Sequence, residues 1–206
     1  QQPVYDFAAR ARQLLGEWQV QALQASYRRQ LELGSFRFKS IYYRGNPALA
    51  QQQQALLRAL DTQPQSVWVR EARQLAAQNI YLPDNRLLLS LLQGTGEPAL
   101  YASLWHRPVD QDALTALLTI NRFHQGNVAS DLLIAASDNP GLKASALRQL
   151  SALSPLPPQA QKYLLAELSN RQYGALVAGL LMEVDEPQLL SALARRLGQR
   201  DTPPIA

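Results

Sequence analysis

A short phrase, Pro-x-Leu, recurs four times and constrains the fold of this chain more than any other feature. It stands as Asn46-Pro47-Ala48-Leu49, Glu97-Pro98-Ala99-Leu100, Asn139-Pro140-Gly141-Leu142 and Glu186-Pro187-Gln188-Leu189, with the prolines 51, 42 and 47 residues apart. Proline suits the first turn of a helix, where its missing N–H would have had no partner. Asn46 and Asn139 are good caps for the free amides. Glu97 and Glu186 place negative charge at the positive helix end. The leucine then opens an apolar stripe: Leu49, Leu56, Leu57 and Leu60 in the first copy, Leu142, Ala146, Leu147, Leu150 and Leu153 in the third, Leu189, Leu190, Leu193 and Leu197 in the fourth. These are the spacings of a helix with one buried face.

The match extends backwards. Aliphatic pairs Leu91-Leu92, Leu133-Ile134 and Leu180-Leu181 precede three of the prolines by seven and six residues, and Ile41 holds the second of these positions before Pro47. A helix therefore ends, a polar turn follows, and the proline helix begins. Within each period the pattern predicts three helices: 46–61, 64–79 and 83–92; 98–105, 110–120 and a third from Asn127; 140–153, 157–170 and 172–184. A fourth, partial repeat is 187–199, and 200–206 reads as a frayed tail. Helices this short are marginal alone and must bury their stripes on neighbours.

Residues 1–45 lie outside the repeat. Pro3 to Leu33 reads as one long helix closed by Gly34, with Phe7, Ala11, Leu14, Leu15, Trp18, Ala22 and Ala25 as its apolar face and Tyr27 and Leu31 in an adjacent row. Residues 35–45 alternate aromatic and basic side chains, a pattern compatible with a strand or a short helix.

In period and helix count, residues 46–199 resemble the HEAT and armadillo class of α-solenoids. The resemblance rests on Pro47, Pro98, Pro140, Pro187 and the aliphatic stripes, and it is architectural. It implies an all-α, right-handed solenoid of about three repeats behind a long N-terminal capping helix, and a role as a scaffold or binding surface.

Composition narrows the chemistry. The chain has no cysteine, which removes disulfides, thiolate metal sites and thiol catalysis. No apolar run approaches the length of a membrane span. The opening Gln1-Gln2-Pro3 reads as a mature end left by signal-peptide removal, hence a periplasmic or secreted location, with a cytoplasmic one as the alternative. The net charge of +4 sits in residues 1–50, which hold seven basic side chains against Asp6, Glu17 and Glu32.

Catalytic constellations do not emerge. His106 and His124 stand near helix ends without further ligands. Asp110 and Asp112, and Glu183 with Asp185 and Glu186, sit where helix N-termini are expected, and two-residue spacing on a helix points side chains apart. Gly94-Thr95-Gly96 reads as a turn between helices, and Gln51 to Gln54 as a solvated face. No cofactor, metal or catalytic residue is expected.

One stretch rises above this background. Arg28, Arg29, Arg37, Lys39 and Arg44 surround Phe36, Phe38, Tyr42 and Tyr43. Cations track acidic partners, and aromatic faces either stack on a ligand or cover apolar surface. The sequence thus predicts a non-catalytic scaffold or adaptor that binds a protein through this patch or through the inner face of the solenoid. Two alternatives stand beside it. One is a nucleic-acid-binding protein, similar to HEAT-like DNA glycosylases in architecture but without a match to their Trp-Asp base-handling cluster. The other is an accessory domain of a larger enzyme. Oligomeric state is left open.

Overall fold

A computed structural model describes residues 6–184 together with Ser191, Ala194 and Arg195. Among them every regular element is helical. The order is α1 (Phe7–Glu32), a single 3-10 turn (Phe38–Ser40), α2 (Leu49–Asp61), α3 (Gln65–Ala76), α4 (Arg86–Thr95), α5 (Pro98–Trp105), α6 (Gln111–Phe123), α7 (Gly126–Ser137), α8 (Pro140–Ser151), α9 (Pro158–Glu167) and α10 (Gly174–Met182). No helix among the described residues is long and apolar enough to cross a membrane. The chain divides into two compact units, residues 1–100 and 101–206.

The proline phrases start helices as their chemistry requires. Pro98 and Pro140 are the first residues of α5 and α8. Pro47 lies two residues before the start of α2, and the Asn46 carboxamide oxygen accepts from the Ala48 amide at 3.0 Å. Asn139 caps α8 through the Gly141 amide at 3.0 Å, and its own amide donates to the Trp105 carbonyl at 2.8 Å. Glu97 takes a different role and pairs with Arg73 at 3.1 Å. The fourth phrase and the partial repeat it opens lie outside the described residues.

Unit 1 is built around α1 laid along α2. The would-be Cβ of Gly16 lies 4.0 Å from Gln51, and the Gln24 amide reaches the Arg58 carbonyl at 3.4 Å, so the two helices run parallel. The buried residues of α1 are Val20, Tyr27 and Leu31. The apolar face expected from the sequence is the other one: Leu14, Leu15 and Trp18 are 49%, 56% and 66% exposed. Tyr27 explains the choice, because its ring meets Phe36 edge-on at 5.6 Å and carries that side of α1 into the core. α3 and α4 complete the unit. Gly94 lies inside α4 rather than in a turn, and a Cβ there would sit 2.7 Å from the Trp68 ring of α3. The turn itself is left to Gly96, whose positive φ of 61° closes the helix.

Gln53 corrects the reading of the glutamine run as a solvated face. It is buried and donates to Asp84 at 3.2 Å, which ties α2 to the turn before α4.

Unit 2 is centred on α8, which touches α6, α7, α9 and α10. Its buried residues Leu142, Ala146, Leu147 and Leu150 form one stripe. α7 and α8 are joined by Asp138 and Asn139 alone, so they pack as an antiparallel hairpin. On α6 the buried set is Ala113, Ala116, Leu117, Thr119 and Ile120. Leu118, next to Leu117 in sequence, points away from that set and is 62% exposed.

Candidate functional site

The basic-aromatic connector begins where α1 ends. Gly34 takes a φ of +66°, a conformation that L side chains rarely adopt, and turns the chain back towards α3. Residues 38–40 then form the 3-10 turn, which resolves the open choice between strand and short helix. The turn lets Phe36, Phe38, Ile41 and Tyr42 all point inward, and each is 2% exposed or less. Phe36 meets Tyr27 at 5.6 Å and Phe38 at 5.2 Å, both edge-to-face. These rings are packing groups, so three of the four aromatics proposed for contact, Phe36, Phe38 and Tyr42, are not available at the surface. Tyr43 is, at 47% exposure.

The cations divide differently. Arg28 is held by Glu32 one turn away at 2.9 Å. Arg37 folds onto its own backbone and donates to the Phe36 carbonyl at 2.8 Å. Arg29, Lys39 and Arg44 are exposed. Arg44 lies over the Tyr81 ring at 5.4 Å, a cation–π contact with a ring that is itself 41% exposed.

Four residues of this surface escaped the sequence reading. Arg70 donates to the Leu31 carbonyl and pairs with Glu71 at 2.8 Å. Gln74 reaches the Phe36 carbonyl at 3.4 Å. These three side chains of α3 fasten the end of α1 and the connector from below. Tyr81, in the loop after α3, is the fourth. Nothing local marks them, since Arg70, Gln74 and Tyr81 act across at least thirty intervening residues and Glu71 acts through Arg70. Burial raises the Glu71 carboxyl above its ordinary pKa, and the hydrogen bond and charge of Arg70, with the charge of Arg37, partly offset that shift. The cationic surface is thus underlain by one buried acid.

Burial also lifts the Tyr42 phenol well above its ordinary pKa, and the Asp84 carboxylate adds to the shift. In the unfolded chain the phenol ionises near pH 10, and in the folded chain only at higher pH. The resulting stabilisation is complete below about pH 10 and is lost as pH rises above it. Urea denaturation should therefore show a stability that declines above pH 10, with Tyr42 contributing up to about 1.4 kcal/mol per pH unit. Tyr42→Phe should flatten that decline; an unchanged slope in the variant would remove Tyr42 as its source.

Elsewhere, Asp110 caps α6 by accepting from the Ala113 amide at 2.8 Å. Glu183 follows α10 as its C-terminal cap, not at a helix start, and Asp185 and Glu186 lie outside the described residues. The His124 ring stacks edge-on against Tyr101 at 6.2 Å, and His106 is exposed. Among the described residues no three His, Asp or Glu side chains gather as a metal-binding group.

Fold and surface together define an all-helical protein with an exposed cationic edge on its N-terminal unit. Compared with known protein families, characterised proteins and solved structures, the chain matches none.

Proposed function

We propose that this chain is a non-catalytic helical-repeat protein of HEAT-like solenoid type, and that its cationic edge docks an acidic segment of a protein partner. The observation that carries the reading is the division of labour in the connector. Three of its four aromatic rings, Phe36, Phe38 and Tyr42, are locked into the core, and Arg29, Lys39, Arg44, Tyr43 and Tyr81 are left exposed. A cation held over an aromatic ring keeps its charge exposed and loses side-chain freedom before any partner arrives, which lowers the entropic cost of docking. Helices α3, α6 and α9 begin at 65, 111 and 158, each one residue after the start expected from the sequence, which supports the repeat reading.

A protein segment fits better than a nucleic acid. Single strands are gripped by rings on which bases stack, and Phe36, Phe38 and Tyr42 are buried. The edge offers a few separated charges, whereas a duplex binder spreads basic groups over a broad face.

The test is recovery of a partner on immobilised protein, comparing the native chain with Lys39→Glu/Arg44→Glu. Both positions are exposed, so helix content should not change. Loss of recovery in the variant, and loss in the native protein on raising salt, are expected. Equal recovery by both proteins would remove this edge from the function. Salt-sensitive binding of duplex DNA by the native chain would favour the nucleic-acid reading instead.

A further inference from the structure

The exposed face of α1 is a second surface, independent of the cationic edge. Residues 6–15 are exposed on every side, because α2 meets α1 only from Gly16 onward. Those nine helical residues project about 13 Å beyond the body. A helix of that length is marginal without a surface to lie on. It nevertheless carries apolar groups that continue along the anchored half: Ala11, Leu14 and Leu15, then Trp18, Ala22 and Ala25. At 3.6 residues per turn these lie on the side opposite Val20, Tyr27 and Leu31, facing away from α2.

We propose that this face is covered by the same face of a second copy, with the two α1 helices antiparallel. Three features select that occupant. The first is charge. Arg10 and Glu17, two turns apart, border one flank of the stripe, and behind them Gln13 accepts from Arg10 at 3.0 Å and donates to Glu17 at 2.8 Å. This row reads Arg–Gln–Glu forwards and Glu–Gln–Arg backwards. Two antiparallel copies therefore set Arg10 of each against Glu17 of the other, whereas a parallel two-fold pair sets this flank against the opposite one, where Leu15 and Ala22 carry no charge.

The second feature is fit. In the register that pairs those charges the two-fold axis passes between positions 13 and 14. Leu14 of each copy then lies beside its counterpart, and Trp18 comes level with position 9 of the partner copy, in the gap between the stripe residues at 7 and 11. The third is support. The same register lays the outer part of each arm, residues 7–11, against residues 16–20 of the other α1, where that helix is anchored on α2.

Area agrees. Phe7, Leu14, Leu15 and Trp18 leave roughly 500 Å² exposed per copy, so that two copies reach the lower bound for a specific interface. A lipid surface is a poorer match, because within residues 6–22 Arg10 and Arg12 are balanced by Asp6 and Glu17, leaving no net charge to attract anionic headgroups.

The experiment is the solution mass of the full chain by sedimentation equilibrium. A mass twice the 22.9 kDa of one chain is expected. Trp18→Glu should weaken association at least about 30-fold, as expected for a central aromatic contact. Its helix content by circular dichroism should be unchanged, since Trp18 is exposed in the single chain. Arg10→Glu should also weaken association, and Arg10→Glu/Glu17→Arg should restore it. Because the chain has no cysteine, Leu14→Cys offers a further readout: it should cross-link under mild oxidation, and Ala22→Cys should not. A single-chain mass at about 100 μM protein, well above a micromolar Kd, would overturn the proposal. So would a double charge swap that stays as weak as Arg10→Glu, or cross-linking through position 22 instead of 14.

Discussion

Phe36→Ala should lower the stability of the N-terminal unit by about 3–5 kcal/mol, the usual cost of emptying a phenylalanine site in a closed core. Phe36 is fully buried, and it is the middle ring of three: Tyr27 from α1 on one side, Phe38 on the other. Removing it opens a cavity and ends two edge-to-face contacts, each worth about 0.5–1.5 kcal/mol beyond area. The site has little room to collapse, because Arg37 and Gln74 both bond the Phe36 carbonyl and hold the backbone in place. Urea denaturation followed by far-UV circular dichroism measures the loss. A change below about 0.5 kcal/mol, the range of an ordinary surface substitution, would mean that the ring is a surface group after all. The result also separates two roles within one stretch. Lys39→Glu, three residues away in sequence but exposed, should leave stability nearly unchanged and act on partner recovery alone.

Leu150→Ala should cost the C-terminal unit about 2–5 kcal/mol. Leu150 is 1% exposed and ends the inner stripe of α8, the helix that touches four others in its unit. Leu118→Ala is the matched control. It deletes the same atoms from the neighbouring α6 at a position 62% exposed, and it should change stability by no more than about 0.5 kcal/mol. Equal losses in the two variants would show that the helical phase of this unit is wrongly assigned.

Much of the fold was legible before any coordinates. Local signals carried it. Proline at a first turn, an asparagine before it and leucines at threes and fours are all short-range facts, and α5, α8 and α9 begin within a residue of where those facts put them. The helical character of the chain is stated by the same periodicities. The cationic candidates were legible as well, because charge clustering is visible in a string of letters.

What stayed hidden depended on partners distant in sequence. The sequence presented two apolar rows on α1, and helical spacing treats both as ready to be buried. Only the tertiary structure decided that Val20, Tyr27 and Leu31 face α2 while Trp18 faces water, since the choice is made by the ring of Phe36 that Tyr27 meets. Alternating aromatic and basic letters likewise announced a patch but not its inside. A turn at Gly34 and a 3-10 turn at Phe38 sent the rings into the core and left Lys39 and Arg44 outside. The sequence by itself therefore determined where helices form and which residues are chemically fit to be buried or charged. The tertiary structure decided which of those fits were used, because burial is a property of two surfaces and a sequence describes them one at a time.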